Sequence, residues 1–547
     1  MSSRMCVVLG LLYFASVCSG RMEPGEVLLV IACPPLPRQA KDECFALSDS
    51  VRKQHRQLER AEIFPGDYVL KVHVMQELFN YWTLLDALPH LRGQTRLLNA
   101  RTEWIIWCQH NTRVSSLRGL LEQLRRQDSG ELSFHGHALY DSEATIIHHF
   151  SNYKDPQRFP YPMLSAGVVF TGVLLRRLAE LVASNAQNTT LPSDFSIDAS
   201  HELARFIYEN VTPDPHSGTP VSVRITLKSA SYICPTFVSM RTAGTPNRGP
   251  RCMLHAKPEE PPAGLLSTSE HLKERCVYTT GSHIYFAIKT CAKFHKERIT
   301  IIERTWAENA QNRRYYSDVA DVGIPTISTG IPNVQTGHCA KTMAILQLSL
   351  KDIGEQMDIR WLMLVDDDTL LSVPRVSALL SCHNHTEFVY LGQRYGYRLR
   401  APDGFNYHTG GAGILLSLPL VRLIVERCTC PSASAPDDMI LGYCLQALGV
   451  AAVPAAGMHQ ARPQDYAEEL LLLQPPVSFH KFWNTDPEYT YRRWLGGSSG
   501  NSSVPLAAYT QRVTAAALRL HERQPCPVVA GFLQETGLES SGKRLDL

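Results

Sequence analysis

Arg360-Trp361-Leu362-Met363-Leu364-Val365-Asp366-Asp367-Asp368-Thr369 reads as a buried strand that breaks off into three carboxylates. An apolar run without polar alternation fits a strand covered on both faces, as in α/β layered sheets. Acids placed directly after such a strand emerge at the carboxyl edge of the sheet, where open α/β folds bind ligands. Adjacent carboxylates repel one another and are tolerated when a cation neutralises them. Hard oxygen donors suit Mn2+ or Mg2+, which in turn bridge to phosphate oxygens. An arbitrary acidic triplet is usually a solvated turn, but the position of this one, after a wholly apolar strand, argues against that reading.

The same figure occurs earlier, as Glu103-Trp104-Ile105-Ile106-Trp107-Cys108-Gln109-His110-Asn111-Thr112. Downstream, Ser165-Ala166-Gly167-Val168-Val169 precedes a helix-like Val173 to Val182, just as Gly411-Ala412-Gly413-Ile414-Leu415 precedes Leu420 to Arg427. Pro192-Ser193-Asp194-Phe195 then stands where Pro436-Asp437-Asp438-Met439 stands. Three matches in one order point to a duplicated unit whose copies differ in loop length. Arg241 to Glu270, rich in Pro and Gly, reads as the linker between them. Strand-like Ile284 to Ile288, Trp361 to Val365 and Phe388 to Gly392 alternate with helical patterns such as Glu297 to Ala307, predicting α/β domains with largely parallel sheets.

The chain has 547 residues, too many for one compact core at ~150 residues per domain. Lys and Arg total 54 against 52 Asp and Glu, so no global basic field exists to attract nucleic acid. Arg4, the apolar run Met5 to Val17 and the small residues Cys18, Ser19 and Gly20 read as a cleaved signal peptide over 1–20. The run is short of the ~20 residues a membrane span needs, and no later stretch supplies a transmembrane segment; an uncleaved anchor is the competing reading. The 15 cysteines fall to 13 once Cys6 and Cys18 leave with the leader, and in an oxidising lumen most of these should pair, the odd count leaving at least one free thiol. Cys428 with Cys430 and Cys33 with Cys44 lack the spacing of a zinc ribbon. Sequons at Asn188, Asn210, Asn384 and Asn501 agree with lumenal exposure.

Further candidates lie in the second copy. The small residues Gly410-Gly411-Ala412-Gly413 permit close backbone approach to a ligand, or form only a tight turn. Pro436-Asp437-Asp438 opens a helix from Met439 to Leu448; a cap needs one acid, leaving the other free for proton transfer. His480, in a strand-like stretch, would by itself be read as structural.

From about Tyr278 to Leu495 the chain resembles the fringe-like family of inverting glycosyltransferases. The resemblance is carried, in order, by Lys289-Thr290, Lys293-Phe294-His295, Arg298, Glu303-Arg304-Thr305-Trp306, the aspartate triplet, the Gly-rich loop, Pro436-Asp437-Asp438 and Phe479-His480. Ser478-Phe479-His480-Lys481 with Trp483-Asn484-Thr485-Asp486-Pro487, and the long N-terminal copy, are most similar to the branch that adds beta-1,3-linked glucose to O-linked fucose on thrombospondin type 1 repeats. The resemblance implies two tandem GT-A-like (Rossmann-like) domains, the first degenerate. The expected organisation is a leader over 1–20, a degenerate domain over 21–240, a linker over 241–271, a catalytic domain over 272–498 and a tail over 499–547. It further implies Asp368 and His480 as ligands of Mn2+ (or Mg2+), and Asp366, Asp367, Thr290, Arg298 and Gly411 around a nucleotide sugar. Asp438 is the implied general base, Asp437 being the alternative. UDP-glucose and O-fucosylated thrombospondin repeats are the implied partners. Rival readings are a fringe-type N-acetylglucosaminyltransferase and a lumenal lectin or folding sensor without catalysis. In the first copy Gln109-His110-Asn111 replace the acids, so no nucleotide site is expected there, and Asp194, aligned with Asp438, is expected only as a helix cap. Arg544-Leu545-Asp546-Leu547 keeps part of a retention signal of the Lys-Asp-Glu-Leu type, favouring the endoplasmic reticulum lumen.

Overall fold

The computed structural model describes residues 25–34, 38–61, 68–76, 84–149, 155–184, 194–211, 225–236, 252–258, 278–354, 358–399 and 401–496. The expected leader, the expected tail, and the sequons at Asn188 and Asn501 lie outside these residues. No helix among the described residues is long and apolar enough to cross a membrane.

Trp361–Asp366 forms the strand its apolar run predicts, buried from Trp361 to Val365. It lies inside a seven-stranded sheet, next to Ile284–Lys289 on one side and Ile414–Ser417 on the other. Asn312–Ser317 and Thr326–Ser328 extend the first side in parallel; Tyr390–Gly392 and Ala452–Pro454 complete the second. The sheet is largely parallel, and among its seven strands only Ile414–Ser417 runs antiparallel, to both of its neighbours. Its reversal follows from the Gly-rich loop. Gly413, at φ 88°, re-enters the sheet from the carboxyl edge after its N–H has closed a turn onto the Gly410 carbonyl. Separate apolar clusters cover the two faces, one around Trp306, Met363 and Phe479, the other around Ile345, Leu362 and Val421.

The first half repeats this plan. Tyr68–Met75, Gly25–Ala32, Thr102–Gln109, Val168–Thr171, Phe134–Gly136 and Lys228–Ser229 lie in the same order and run in the same senses. The register agrees residue for residue: Trp104 pairs with Thr171 as Trp361 pairs with Ser417, and Trp107 pairs with Val168 as Leu364 pairs with Ile414. Gly167, at φ 89°, takes the place of Gly413. Thr112 donates its hydroxyl to the Ser165 carbonyl, and Thr369 donates to that of Gly411, both at 2.9 Å.

Three expectations need correction. Within the expected linker, Leu254–Ala256 is a strand paired antiparallel with Thr112–Val114, and Cys252 is bonded to Cys234, so 252–258 belongs to the first half. Buried apolar side chains at Leu254 and Ala256 were hidden among the surrounding Pro and Gly. The helix Ala199–Asn210 is capped by Asp198, whose carboxylate accepts the Ser200 and His201 N–H groups; Asp194 is not its cap. The helix expected from Glu297 to Ala307 forms over His295–Arg304, with a π turn over His295–Ile299 running on into α over Thr300–Arg304, and it ends short, before a separate turn over Ala307–Asn309. Trp306 leaves this segment to donate its indole N–H to the Thr369 carbonyl at 3.0 Å, beneath the acidic loop.

The halves are joined by main chain and side chain. Phe195–Ser196 pairs with Arg394–Tyr397, and the Arg398 N–H bonds the Asp194 carbonyl. Ile147 and Ile197 pack with Tyr395, Phe405 and Tyr407, and Arg462 reaches Glu143 at 2.9 Å.

Candidate active site

Lys289 closes its strand in register with Asp366, which closes the neighbouring one. Its ammonium lies 3.0 Å from Asp366 Oδ1 and 2.8 Å from Asp437 Oδ2, buried from solvent. Burial alone would favour the neutral amine, but the two carboxylates hold its pKa above the ordinary lysine range. The acidic triplet therefore has a fixed internal cation beneath it.

Asp367 turns away from that cation. Its carboxylate accepts the Thr290 hydroxyl at 2.7 Å and the Arg298 guanidinium at 2.6 Å. Burial and the adjacent Asp368 charge push its pKa up, and Arg298 and Thr290 restrain the rise. Arg298 also lies 3.1 Å from Asp368 Oδ2 and stacks 3.7 Å over the Phe294 ring.

His480 is delivered by a second pairing. Ser478–His480 runs antiparallel to Thr369–Leu371, setting His480 opposite Thr369. Nδ1 faces the Gln460 carbonyl at 3.0 Å, and a carbonyl can only accept, so Nδ1 carries a proton. Nε2 is left facing Asp368 Oδ1 at 3.1 Å and Asp366 Oδ2 at 3.9 Å. A lone pair aimed at two carboxylates is repulsive unless a proton or a cation stands between them. Burial disfavours the imidazolium, but the carboxylates raise the pKa of His480 overall. Asp366, Asp368 and His480 each offer a donor atom within 4.8 Å of the others, an O,O,N set that fits a divalent cation such as Mn2+.

Gly411 makes room for this arrangement: a Cβ built on it would fall on the His480 ring. The open glycine is Gly410, whose nearest neighbour to such an atom is Asp366 Oδ2 at 3.9 Å.

Asp437 and Asp438 open the helix Asp437–Ala447 with divergent surroundings. Asp437 accepts from Lys289 and, at 2.6 Å, from the Thr342 hydroxyl. Although burial raises its pKa, Lys289 and Thr342 hold it low. Asp438 has no ion pair among the described residues; it accepts the Met439 N–H at 2.8 Å and the Gly410 N–H at 3.3 Å. Burial and the Asp437 charge push its carboxyl up to about 7. Two neighbouring acids driven apart in this way are suited to different tasks.

All eight residues singled out from the sequence thus converge on one edge of the sheet. Sequence reasoning missed Lys289, Thr342 and Gln460 as members of the site. A lysine ending the apolar run Ile284-Tyr285-Phe286-Ala287-Ile288 was the available signal, since a buried ammonium demands carboxylate partners.

Residues 279–496 match the profile of the family described as Fringe-like. A mouse "Beta-1,3-glucosyltransferase" is 39% identical over 437 residues, covering 80% of this chain and 80% of its own. The human protein of that name is 39% identical over 431 residues, covering 79% and 78%. The "Beta-1,3-N-acetylglucosaminyltransferase lunatic fringe" of Xenopus laevis is 28% identical over 196 residues, 31% of this chain and 52% of its own. Sustained across both halves, the likeness to the first two shows that the chain belongs to the beta-1,3-glucosyltransferase family of fringe-like glycosyltransferases.

Proposed function

We propose that the chain transfers glucose from UDP-glucose, with inversion, in beta-1,3 linkage to fucose O-linked on thrombospondin type 1 repeats. The second half, over 272–498, is the catalytic GT-A-like domain, and the first is its degenerate copy. The observation that carries the reading is Gly410: its N–H bonds Asp438, while its open face looks onto Asp366 of the candidate cation cluster. A base and a diphosphate-binding centre are thereby set side by side.

Asp438, a carboxyl with a raised pKa and no counter-ion, is suited to take the proton from the acceptor hydroxyl. Asp437 keeps Lys289 charged and fixes the helix start. Arg298 and Lys289 offset the negative charge of the triplet, so that a diphosphate is not repelled from it. Asp366, Asp368 and His480 would hold Mn2+ or Mg2+, which when bound stabilises the departing diphosphate as a Lewis acid. A base and an electrostatic sink suffice for inversion without a covalent intermediate.

The four disulfides found among the described residues and the exposed Asn384 sequon support a secretory-lumen protein, and we place it in the endoplasmic reticulum. The test is release of UDP from a panel of UDP-sugars with Mn2+, with and without a fucosylated thrombospondin repeat. Preference for UDP-glucose and acceptor-dependent transfer support the reading. Preference for UDP-N-acetylglucosamine would move the chain to the fringe activity, and binding without turnover would make it a lectin.

A further inference from the structure

Trp483 is 67% exposed, on the loop that follows His480. A single apolar side chain on a surface is ordinary; this one is set apart by its place and by how firmly its main chain is held. Three residues from His480, its Cα can lie no farther than about 11 Å from that of the histidine. The intervening chain is coiled, with Lys481 at φ 71° and Asn484, just past the tryptophan, at φ 51°, a region that residues with a side chain seldom occupy. The Lys481 N–H donates to the Asp368 carbonyl at 3.1 Å, so the loop starts on the candidate cation cluster. Farther on, the Trp483 carbonyl accepts the Arg462 guanidinium and the Thr485 hydroxyl, both at 3.2 Å, and Gln464 donates its amide to that hydroxyl at 2.8 Å.

Arg462 also lies over the indole, 5.1 Å from the ring centre. The guanidinium is itself fixed. It makes two bonds of 2.8 Å to the Asp465 carboxylate and one of 2.9 Å to Glu143 of the first half. Ser142, beside Glu143, donates its hydroxyl to the Gln464 carbonyl at 3.4 Å. One face of the indole is thus backed by a held cation, and the large exposure leaves the other face open. Both halves of the chain set its orientation.

We propose that the open face of Trp483 is the platform on which the acceptor sugar lies while its hydroxyl is presented to Asp438. This rests on the transfer reaction proposed above. A pyranose turns C–H bonds toward one face, and a 6-deoxysugar such as fucose adds a methyl group. These weakly positive hydrogens match the negative face of an indole, and the sugar hydroxyls stay free at the rim. A ring already held in place gives this contact at little cost in ordering. The first half gains a role in the same step, because Glu143 and Ser142 brace the segment that backs the platform.

Initial rates of the purified full chain with UDP-glucose, Mn2+ and a fucosylated thrombospondin repeat test this. Trp483→Ala should raise the acceptor KM ~10-fold, the scale of one aromatic contact, change kcat far less, and leave UDP-glucose affinity by calorimetry within about twofold of wild type. Trp483→Phe, which keeps a ring, should recover most of the acceptor KM. An unchanged acceptor KM in Trp483→Ala would overturn the platform. So would a loss of UDP-glucose affinity as large as the loss for the acceptor, which would make the loop a support of the cation cluster. Binding of the unfucosylated repeat separates sugar from protein: equal weakening with and without fucose would also overturn the proposal, since the ring would then contact the repeat itself. A wild type that transfers nothing to the fucosylated repeat would remove the acceptor reading and the platform together, whereas transfer indifferent to Trp483 removes the platform alone.

Discussion

At the scale of single residues, Asp438 and Asp437 look interchangeable in sequence and are opposites in space. One is tied to Lys289 and Thr342, the other accepts only backbone N–H groups. Asp438→Asn should keep UDP-glucose affinity near wild type and lower turnover by ~10²-fold or more, the usual worth of a general base. In the wild type, kcat/KM should fall about tenfold per pH unit below about 7, the position to which burial and Asp437 push this carboxyl, and level off above it. The sign for stability is opposite. A carboxyl raised on folding makes the native state relatively most stable below the ordinary carboxylate range, and that contribution is lost as pH rises through about 7. Asp438→Asn should therefore flatten the decline of melting temperature between pH 4 and 7 as it removes activity. Gly411→Ala tests a different residue-scale claim, that the missing Cβ makes room for His480. A displaced His480 should raise the Mn2+ concentration for half-maximal UDP release by ~10-fold or more, the usual cost of disturbing a ligand's support. Gly410→Ala, with nothing nearer than Asp366 Oδ2 at 3.9 Å, should change it far less.

At the scale of elements, patterns with a strict period were readable and those set by partners were not. Trp361–Asp366 and Gly172–Ser184 form close to where apolar periodicity puts them. The helix after Phe294 stops at Arg304, short of its expected end, and Trp306 beyond it donates to the Thr369 carbonyl, a tertiary bond that no local pattern encodes. Leu254–Ala256 was unreadable for the same reason: three residues make a strand only when Thr112–Val114 lies beside them. Disulfide pairing was also open, and the structure shows what two of the bonds hold. Cys428–Cys444 ties the end of Asp437–Ala447 to the chain before it, and Cys339–Cys430 fastens the neighbouring helix Cys339–Ile353. The first closes a loop of 16 residues, worth about 3 kcal/mol by chain entropy. Replacing Cys428 and Cys444 together by Ser should lower the melting temperature by about 10 °C. It should also lower turnover more than it raises KM, because the freed helix carries the base. Equal effects on both would show that the bond serves stability alone.

At the scale of the molecule, the duplication visible in three sequence matches is a duplication of sheet order, strand sense and register. That register allows each polar position of the second half to be followed into the first, beyond the acidic triplet that sequence could compare. Lys289 pairs with Asp366 as Ala32 pairs with Gln109, and Thr290 accordingly becomes Cys33, bonded to Cys44. His480 faces Thr369 as Ala256 faces Thr112. The first half thus has Gln109, His110 and Asn111 in place of the three carboxylates, Ala32 in place of the ammonium and Ala256 in place of the imidazole, and its helix start is capped by Asp198. A hard cation loses there the three carboxylates that the second half offers it. Calorimetric titration of the intact chain with UDP-glucose in Mn2+ should therefore give one site per chain, and Asp368→Ala should leave none. The intact chain is the right object, since Ala467 and Leu473 of the second half complete the core of the first. Two sites in the wild type, or one surviving in Asp368→Ala, would mean that the first half binds nucleotide sugar by groups other than those its partner uses.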